Sequence, residues 1–474
     1  MDMAAGLSRR NFLAGMGSAL VLRRSAFANA GADGELPACY RPYLDGIARK
    51  VAADAAKGAD RGFVFLTDPH VMSNFGHSGF AIADIVRRTG LTRVIGGGDW
   101  SMAFCGTVDP KTYIDETYAR MNLLWRDPIE AVGGRFFTAK GNHDMIVWSD
   151  RSRSNGYMYA SAKTREMLMA TKESAFVTVN PDEKSGLYFY HDDVEDRIRY
   201  IVADTSDGVL ENDRAGRGGW GYGNFMRPDQ LRWIGDVALG TVPAGYEVVV
   251  AHHIPLTPFT GIEREAAVLS DFRLILEAYQ VRGRINTKMA GMFDFSFRKG
   301  GDIVFDISGH THSDEFAYYN GILHISEICD AWNGESRTRT PFSGVLFKSR
   351  EERRGTVKEQ GFDIVAFGKD VVRTTRIGIG QDRVFHLKPT TLKIGDKIRL
   401  ESAEYADVEW KCFDSWEVKQ DRTRKKPEEL WTFFNRIAEI SPDGVVTAKS
   451  PGWATALAIA PDFRKEIFGI KVEG

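Results

Sequence analysis

A chain of 474 residues exceeds the usual size of one domain, so a large domain with a smaller companion is the expected organisation. Its 62 Lys and Arg against 64 Asp and Glu leave a formal charge of -2, which gives no bulk electrostatic reason to expect nucleic acid or an anionic membrane as partner. Four cysteines without Cys-x-x-Cys spacing argue against both a thiolate zinc site and a dense disulfide framework.

The first element is Ser8-Arg9-Arg10-Asn11-Phe12-Leu13, followed by an apolar run from Phe12 to Leu22 and the small residues Ala28-Asn29-Ala30. It resembles a twin-arginine export signal over 1–30, implying a mature chain that starts near Gly31 and a periplasmic or secreted location. The run is well short of the roughly 20 apolar residues of a spanning helix, and Arg23 and Arg24 close it. No later segment reaches spanning length, so no transmembrane segment is expected in the mature chain. Cys39 is read as an ordinary cysteine, and residues 31–60 as a lead segment.

From residue 61 onward, short apolar runs alternate with helical patterns, which predicts an α/β domain over 61–385. Strands are expected at 62–66, 93–95, 136–139, 199–203, 246–251 and 303–307. Helices are expected at 80–88, 113–125, 228–239 and 266–279, with Pro228 at a first helical position, where its missing N–H has no partner to lose. Beyond a boundary near 385, short strand-like runs separated by turn signals predict a small all-β sandwich over 386–474. The mixed-charge stretch Lys419 to Glu429 is expected to be a solvated loop.

Five motifs follow five of these apolar runs: Asp68-Pro69-His70, Gly98-Asp99, Gly141-Asn142-His143-Asp144, Ala251-His252-His253 and Gly309-His310-Thr311-His312. They hold six of the ten histidines. Loops at the carboxyl ends of strands in layered α/β folds gather in one crevice, so these residues can converge. Carboxylate, amide and imidazole form a hard-to-borderline donor set that suits iron, manganese or zinc. Two imidazoles spaced as in His310 and His312 fall on one side of an extended segment and can serve two neighbouring metals.

In this order the motifs resemble the calcineurin-like metallophosphoesterase superfamily, whose fold is a layered β-sandwich flanked by helices. The resemblance implies two metal ions, with Asp99 as bridge, Asp68, His70 and His312 on one metal, and Asn142, His252 and His310 on the other. It also implies hydrolysis of a phosphate monoester or diester through a metal-bridging hydroxide, with His143 acting on the leaving oxygen. His252 is favoured over His253 because it directly follows the strand. His253 and His77 are read as secondary groups or substrate contacts. Asp144 either orients His143 or caps a turn. Met102 stands where purple acid phosphatases place tyrosine, so the chain is not read as one of them.

The tail resembles a bacterial immunoglobulin-like domain of the second group through Leu392-Lys393-Ile394-Gly395-Asp396, Val408-Glu409-Trp410, and Ile440 to Ala448 with Gly452. This implies a buried Trp410 and leaves four roles open for the tail: contact with the cell envelope, carbohydrate binding, packing on the first domain, or spacing it from a surface. The expected partner is a phosphorylated small molecule or an envelope phosphoester. The competing reading is a metal-containing scaffold protein of the envelope with little or no catalysis.

Overall fold

The computed structural model describes residues 36–74, 76–144, 146–149, 156–158, 176–181, 187–207, 226–256, 269–330, 355–418 and 431–474, with Thr164 and Leu168. The expected leader over 1–30, the aromatic glycine-rich stretch 218–225 and the charged stretch 419–429 lie outside these residues. No helix among the described residues is long and apolar enough to cross a membrane.

Alternation along each buried strand sets the layering. In the strand Arg61–Leu66, Phe63 and Phe65 enter a core shared between two sheets. Val64 and Leu66 turn the other way, onto the helices Arg41–Ala56, His77–Thr89 and Pro110–Met121. In the strand Glu247–Ala251, Val249 and Ala251 face the same inter-sheet core. Val248 and Val250 pack against the helical segments at 228–239 and 270–280. The result is two sheets face to face with helices outside both, and strands buried on both sides read as continuous apolar runs.

One sheet has nine strands, in the spatial order 409–413, 452–459, 465–473, 383–393, 371–378, 361–367, 61–66, 93–96 and 135–138. The other has seven, in the order 315–319, 322–326, 303–308, 247–251, 198–202, 189–193 and 178–179. Strands 61–66, 93–96 and 135–138 run parallel to one another, as do 198–202, 247–251 and 303–308. Their carboxyl ends carry the five motifs.

The predicted elements appear with shifted ends. The helix expected at 113–125 begins at Pro110, where the Asp109 side chain accepts the Thr112 N–H at 2.9 Å. It runs into a π-helical turn at Asn122–Arg126. Pro228 does open its helix. Trp100 is core, edge-on to Phe136 and Trp125, with its indole N–H on Thr138 Oγ1 at 2.6 Å.

Hydrogen bonding is continuous across residue 385. The strand Arg383–Lys393 pairs antiparallel with Val371–Thr374, and parallel with Lys465–Phe468 and then Ile470–Glu473. The tail also has its own apolar cluster, including Leu392, Val446, Ala456 and Ile470, against which half-buried Trp410 packs. None of the four cysteines, all of them among the described residues, is in a disulfide.

A buried ion network ties the two sheets together behind the last motif. Arg376 reaches Asp314 at 2.7 Å, Asp363 at 2.8 Å and Glu327 at 2.9 Å, and Arg383 reaches Glu327 and Asp363, each at 2.7 Å. Burial opposes ionisation of these carboxyls, but the guanidinium groups outweigh it at Asp363 and Asp314 and hold both below the ordinary carboxylate range. At Glu327, burial and the Asp363 charge win and raise the pKa well above normal. Lys465, buried beside Asp314, Arg376 and Arg383, adds a further amine whose pKa burial lowers to about 8.

Arg376→Met strands this buried charge and is expected to cost about 3–5 kcal/mol, read as a lower urea midpoint. For Asp314 and Asp363 the folded pKa is depressed, so their stabilisation is present above about pH 4 and lost as pH falls further. Glu327 is protonated in both states below that pH and drops out. Wild-type stability should therefore fall below about pH 4 more steeply than that of Arg376→Met.

Candidate metal centre

The loops are first zipped to one another by backbone. The N–H groups of Asp68, His70 and Val71 donate to the carbonyls of Gly98, Asp99 and Trp100 at 2.9, 3.1 and 2.9 Å. Asp144, fully buried, accepts from the N–H groups of Gly141 at 2.7 Å and of Asp99 and Ser101 at 3.0 Å. Both its oxygens accept backbone N–H groups, so it fixes the loops that carry Asp99 and Asn142. Burial and the Asp99 charge push its pKa up to about 7, while three N–H donors favour its ionised form.

Two glycines make the approach possible. A Cβ at Gly141 would overlap Asp99, and one at Gly309 would overlap Thr67 and Asp68.

Two His/Asp groups result: Asp68, His70 and His312, and Asp99, His253 and His310. In the first, Asp68 Oδ2 is satisfied by Thr67 Oγ1 at 2.6 Å and the His310 N–H at 2.8 Å, which leaves Oδ1 facing His312 Nε2 at 3.1 Å. His70 Nδ1 lies 2.8 Å from the Ser101 carbonyl, so it carries the proton and Nε2 offers a lone pair, 3.2 Å from His312 Nε2. In the second, His253 Nδ1 donates to the Gly97 carbonyl at 2.7 Å, and its Nε2 faces Asn142 Oδ1 at 2.9 Å and Asp99 Oδ1 at 3.3 Å. His310 Nδ1 is also 2.9 Å from Asn142 Oδ1.

At His253 Nε2, whose ring proton is held at Nδ1 by Gly97, the Asn142 and Asp99 oxygens converge lone pair on lone pair, an arrangement that a cation relieves. Protonation is the other relief. Burial works against a charged His253, yet Asp99 and Asp68 draw its pKa up to about 9. At His312, burial is likewise outweighed, here by the sulfur of Cys329, hydrogen-bonded to its ring, and by Asp68. Asp99 interacts with His143 and His253 and also with His70 of the other group. The donor set and its geometry fit two metal ions.

Backbone strain marks the same residues. Ten non-glycine residues among those described have positive φ, and five of them are Asp68, His70, Asp99, His310 and His312. Each such conformation costs about 1–3 kcal/mol and persists only where its surroundings over-determine it.

The structure differs from the sequence expectation in which histidine it brings to the site. Alternation sends His253 to the inter-sheet side with Val249 and Ala251. His252 turns to the helical side, edge-on to Phe272, with Nδ1 2.9 Å from the Ile254 carbonyl and Nε2 3.5 Å from Asp306. Asp306 also pairs with buried His324. His77 stands apart from both groups, paired with buried Glu359. Asn74 holds Pro69 and Asp330 in place. His143 lies at the rim, its Nε2 3.7 Å from Asp99 Oδ2 and its N–H on Asp99 Oδ1 at 2.9 Å, and burial lowers its pKa to about 4. Cys329 had no motif to announce it.

No family model matches the sequence, and no curated protein does. Among solved structures, the chain is similar to a dimetal phosphatase from Danio rerio at 12% identity and TM-score 0.42, over 68% of this chain and 98% of that one. It is similar to GAP50, the anchor in the inner membrane complex of Plasmodium, at 13% identity and TM-score 0.35, over 67% and 84%. A third is the phosphopantetheinyl hydrolase from Mycobacterium tuberculosis, at 14% identity and TM-score 0.28, over 57% and 91%.

The two adjacent histidines separate by metal content. His253→Ala is expected to lose about one metal equivalent by elemental analysis, whereas His252→Ala keeps both and lowers the thermal midpoint. The reverse pattern would refute the placement.

Proposed function

We propose that the chain is an exported, metal-dependent phosphoric ester hydrolase acting on a phosphate monoester or diester. The observation that carries this reading is the convergence of five strand-end loops on two adjoining His/Asp groups whose ligand atoms face one another. Asp68, His70 and His312 would hold one cation, Asn142, His253 and His310 the other, with Asp99 shared between them. Iron, manganese and zinc all suit these donors. Bound cations supply Lewis acidity toward phosphoryl oxygens and lower the pKa of water toward neutrality.

The chain's own groups do the rest. The Ser101 and Gly97 carbonyls hold His70 and His253 in the tautomer that offers Nε2. His143 sits with its side chain 18% exposed, open to an arriving substrate. A phosphate anion beside it would raise its low pKa, and the protonated ring would then donate to the leaving oxygen. Asp99 fixes the His143 backbone and so links the ring's position to the metal-facing carboxylate.

Export rests on the Ser8 to Leu13 motif and the apolar run behind it. An immunoglobulin-like tail that contacts the envelope rests on the motifs between Leu392 and Gly452 and on the tail's separate apolar cluster.

Protein stripped with chelator and reloaded with manganese, zinc or iron should hydrolyse a generic diester or monoester, and Asp99→Asn should abolish this. His143→Ala should retain both metals while turnover drops by about 10²–10⁴. Full turnover in His143→Ala would remove its role, and no turnover with both metals bound would favour the scaffold reading.

A further inference from the structure

Of ten large apolar side chains exposed among the described residues, four fall within 281–297. They are Val281 at 68%, Met289 at 39%, Met292 at 57% and Phe297 at 84%. The segment forms a two-stranded hairpin, Arg284–Thr287 paired with Gly291–Asp294, with Met289 in its turn. Its exposure does not come from loose packing. The alternate residues Phe293 and Phe295 are buried and stacked at 6.1 Å, and Phe295 meets Tyr279 edge-on at 5.4 Å. Phe293 sits so close to Gly235 that a Cβ there would overlap it. The hairpin is anchored by one face and presents the other.

The ionic groups around the hairpin that lack an opposite partner among the described residues are all cations. Arg282, Lys288 and Lys299 are exposed and have no carboxylate partner among the described residues. The hairpin's own carboxylate, Asp294, is already paired with Arg284 at 2.8 Å. Cations beside exposed apolar and aromatic side chains are the composition that enters the boundary between charged headgroups and acyl chains. A second copy fits poorly, because a two-fold contact would bring the unpaired cations face to face. Nucleic acid fits poorly as well, since three of the four apolar groups offer no ring for a base to stack on.

We infer that the hairpin at 284–294, with Val281 and Phe297 at its base, docks on an anionic lipid surface. The contact has a geometric consequence. The Gly301 N–H, just beyond the hairpin, donates to the Tyr246 carbonyl at 2.7 Å, at the amino ends of strands 247–251 and 303–308. His253 and His310 lie beyond the opposite ends of those strands, roughly 20 Å away at about 3.3 Å per residue. A docked chain therefore keeps its metal centre clear of the bilayer.

The test is co-sedimentation of the full chain with phosphatidylglycerol/phosphatidylcholine vesicles against pure phosphatidylcholine. Two double variants are compared, Lys288→Glu with Lys299→Glu and Met292→Ser with Phe297→Ser. All proteins carry the same N-terminus, so any contact by the apolar run at 12–22 is common to them. The wild type should bind the anionic vesicles, and each double variant should partition about tenfold less, with circular dichroism and metal content unchanged. Equal partitioning of wild type and variants would overturn the inference. So would a concentration-dependent dimer that Phe297→Ser dissolves, or a preference for duplex DNA over the vesicles.

Discussion

Crowded lone pairs are the constraint on which the site depends. Asp68 Oδ1, His70 Nε2 and His312 Nε2 meet at one point, and Asn142 Oδ1, His253 Nε2 and Asp99 Oδ1 meet at another, with backbone carbonyls having already claimed the remaining protons of His70 and His253. At His253 Nε2 these lone pairs repel unless a proton or a metal ion enters, whereas at the other point His312 Nε2 can also act as an N–H donor. Left-handed backbone at five of the contributing residues adds to the burden, and the zipped loops and the Asp144 carboxylate over-determine it. The fold thus sustains an unfavourable constellation at these residues.

Sheet geometry does the sustaining. Loops that follow two sets of parallel strands, one in each of the facing sheets, meet at the two His/Asp groups. Behind the His310 to His312 loop, Asp314 is gripped by Arg376 from the neighbouring sheet, and that grip locks the loop to a strand that contributes no ligand. Fully buried ion networks add little net stability, but removing one member is costly. Here such a network fixes the registration of one sheet on the other.

Much of this was legible in the sequence. The strands at 61–66, 93–96, 135–138, 247–251 and 303–308 were readable because each is an apolar run that ends in a motif, and the donor types alone pointed to metal. Choosing between His252 and His253 needed the parity of the strand, and a run such as Val248 to Ala251, apolar on both faces, conceals it. Asp144 was ambiguous because only the fold reveals that three N–H groups surround it. Cys329 was silent, since a lone cysteine gains meaning only from its neighbour His312. The outer charge of the 281–299 hairpin was hidden by an average of -2 over the whole chain.

The central strand 61–66 has its antiparallel partner at 361–367, with Phe63 opposite Val365. At about 5–20 residues per second, a ribosome needs about 15 to 60 s to deliver that partner after the first strand emerges. For that interval one edge of the parallel strands lies open, and the loops bearing Asp68, Asp99 and Asn142 wait without His310 or His312. The strand 465–473 sits inside the sheet between 452–459 and 383–393, so the layer closes only once residue 473 has been made. Order of synthesis thus delays assembly of the centre until these distant strands have been made, and a nascent chain carries an open edge until then.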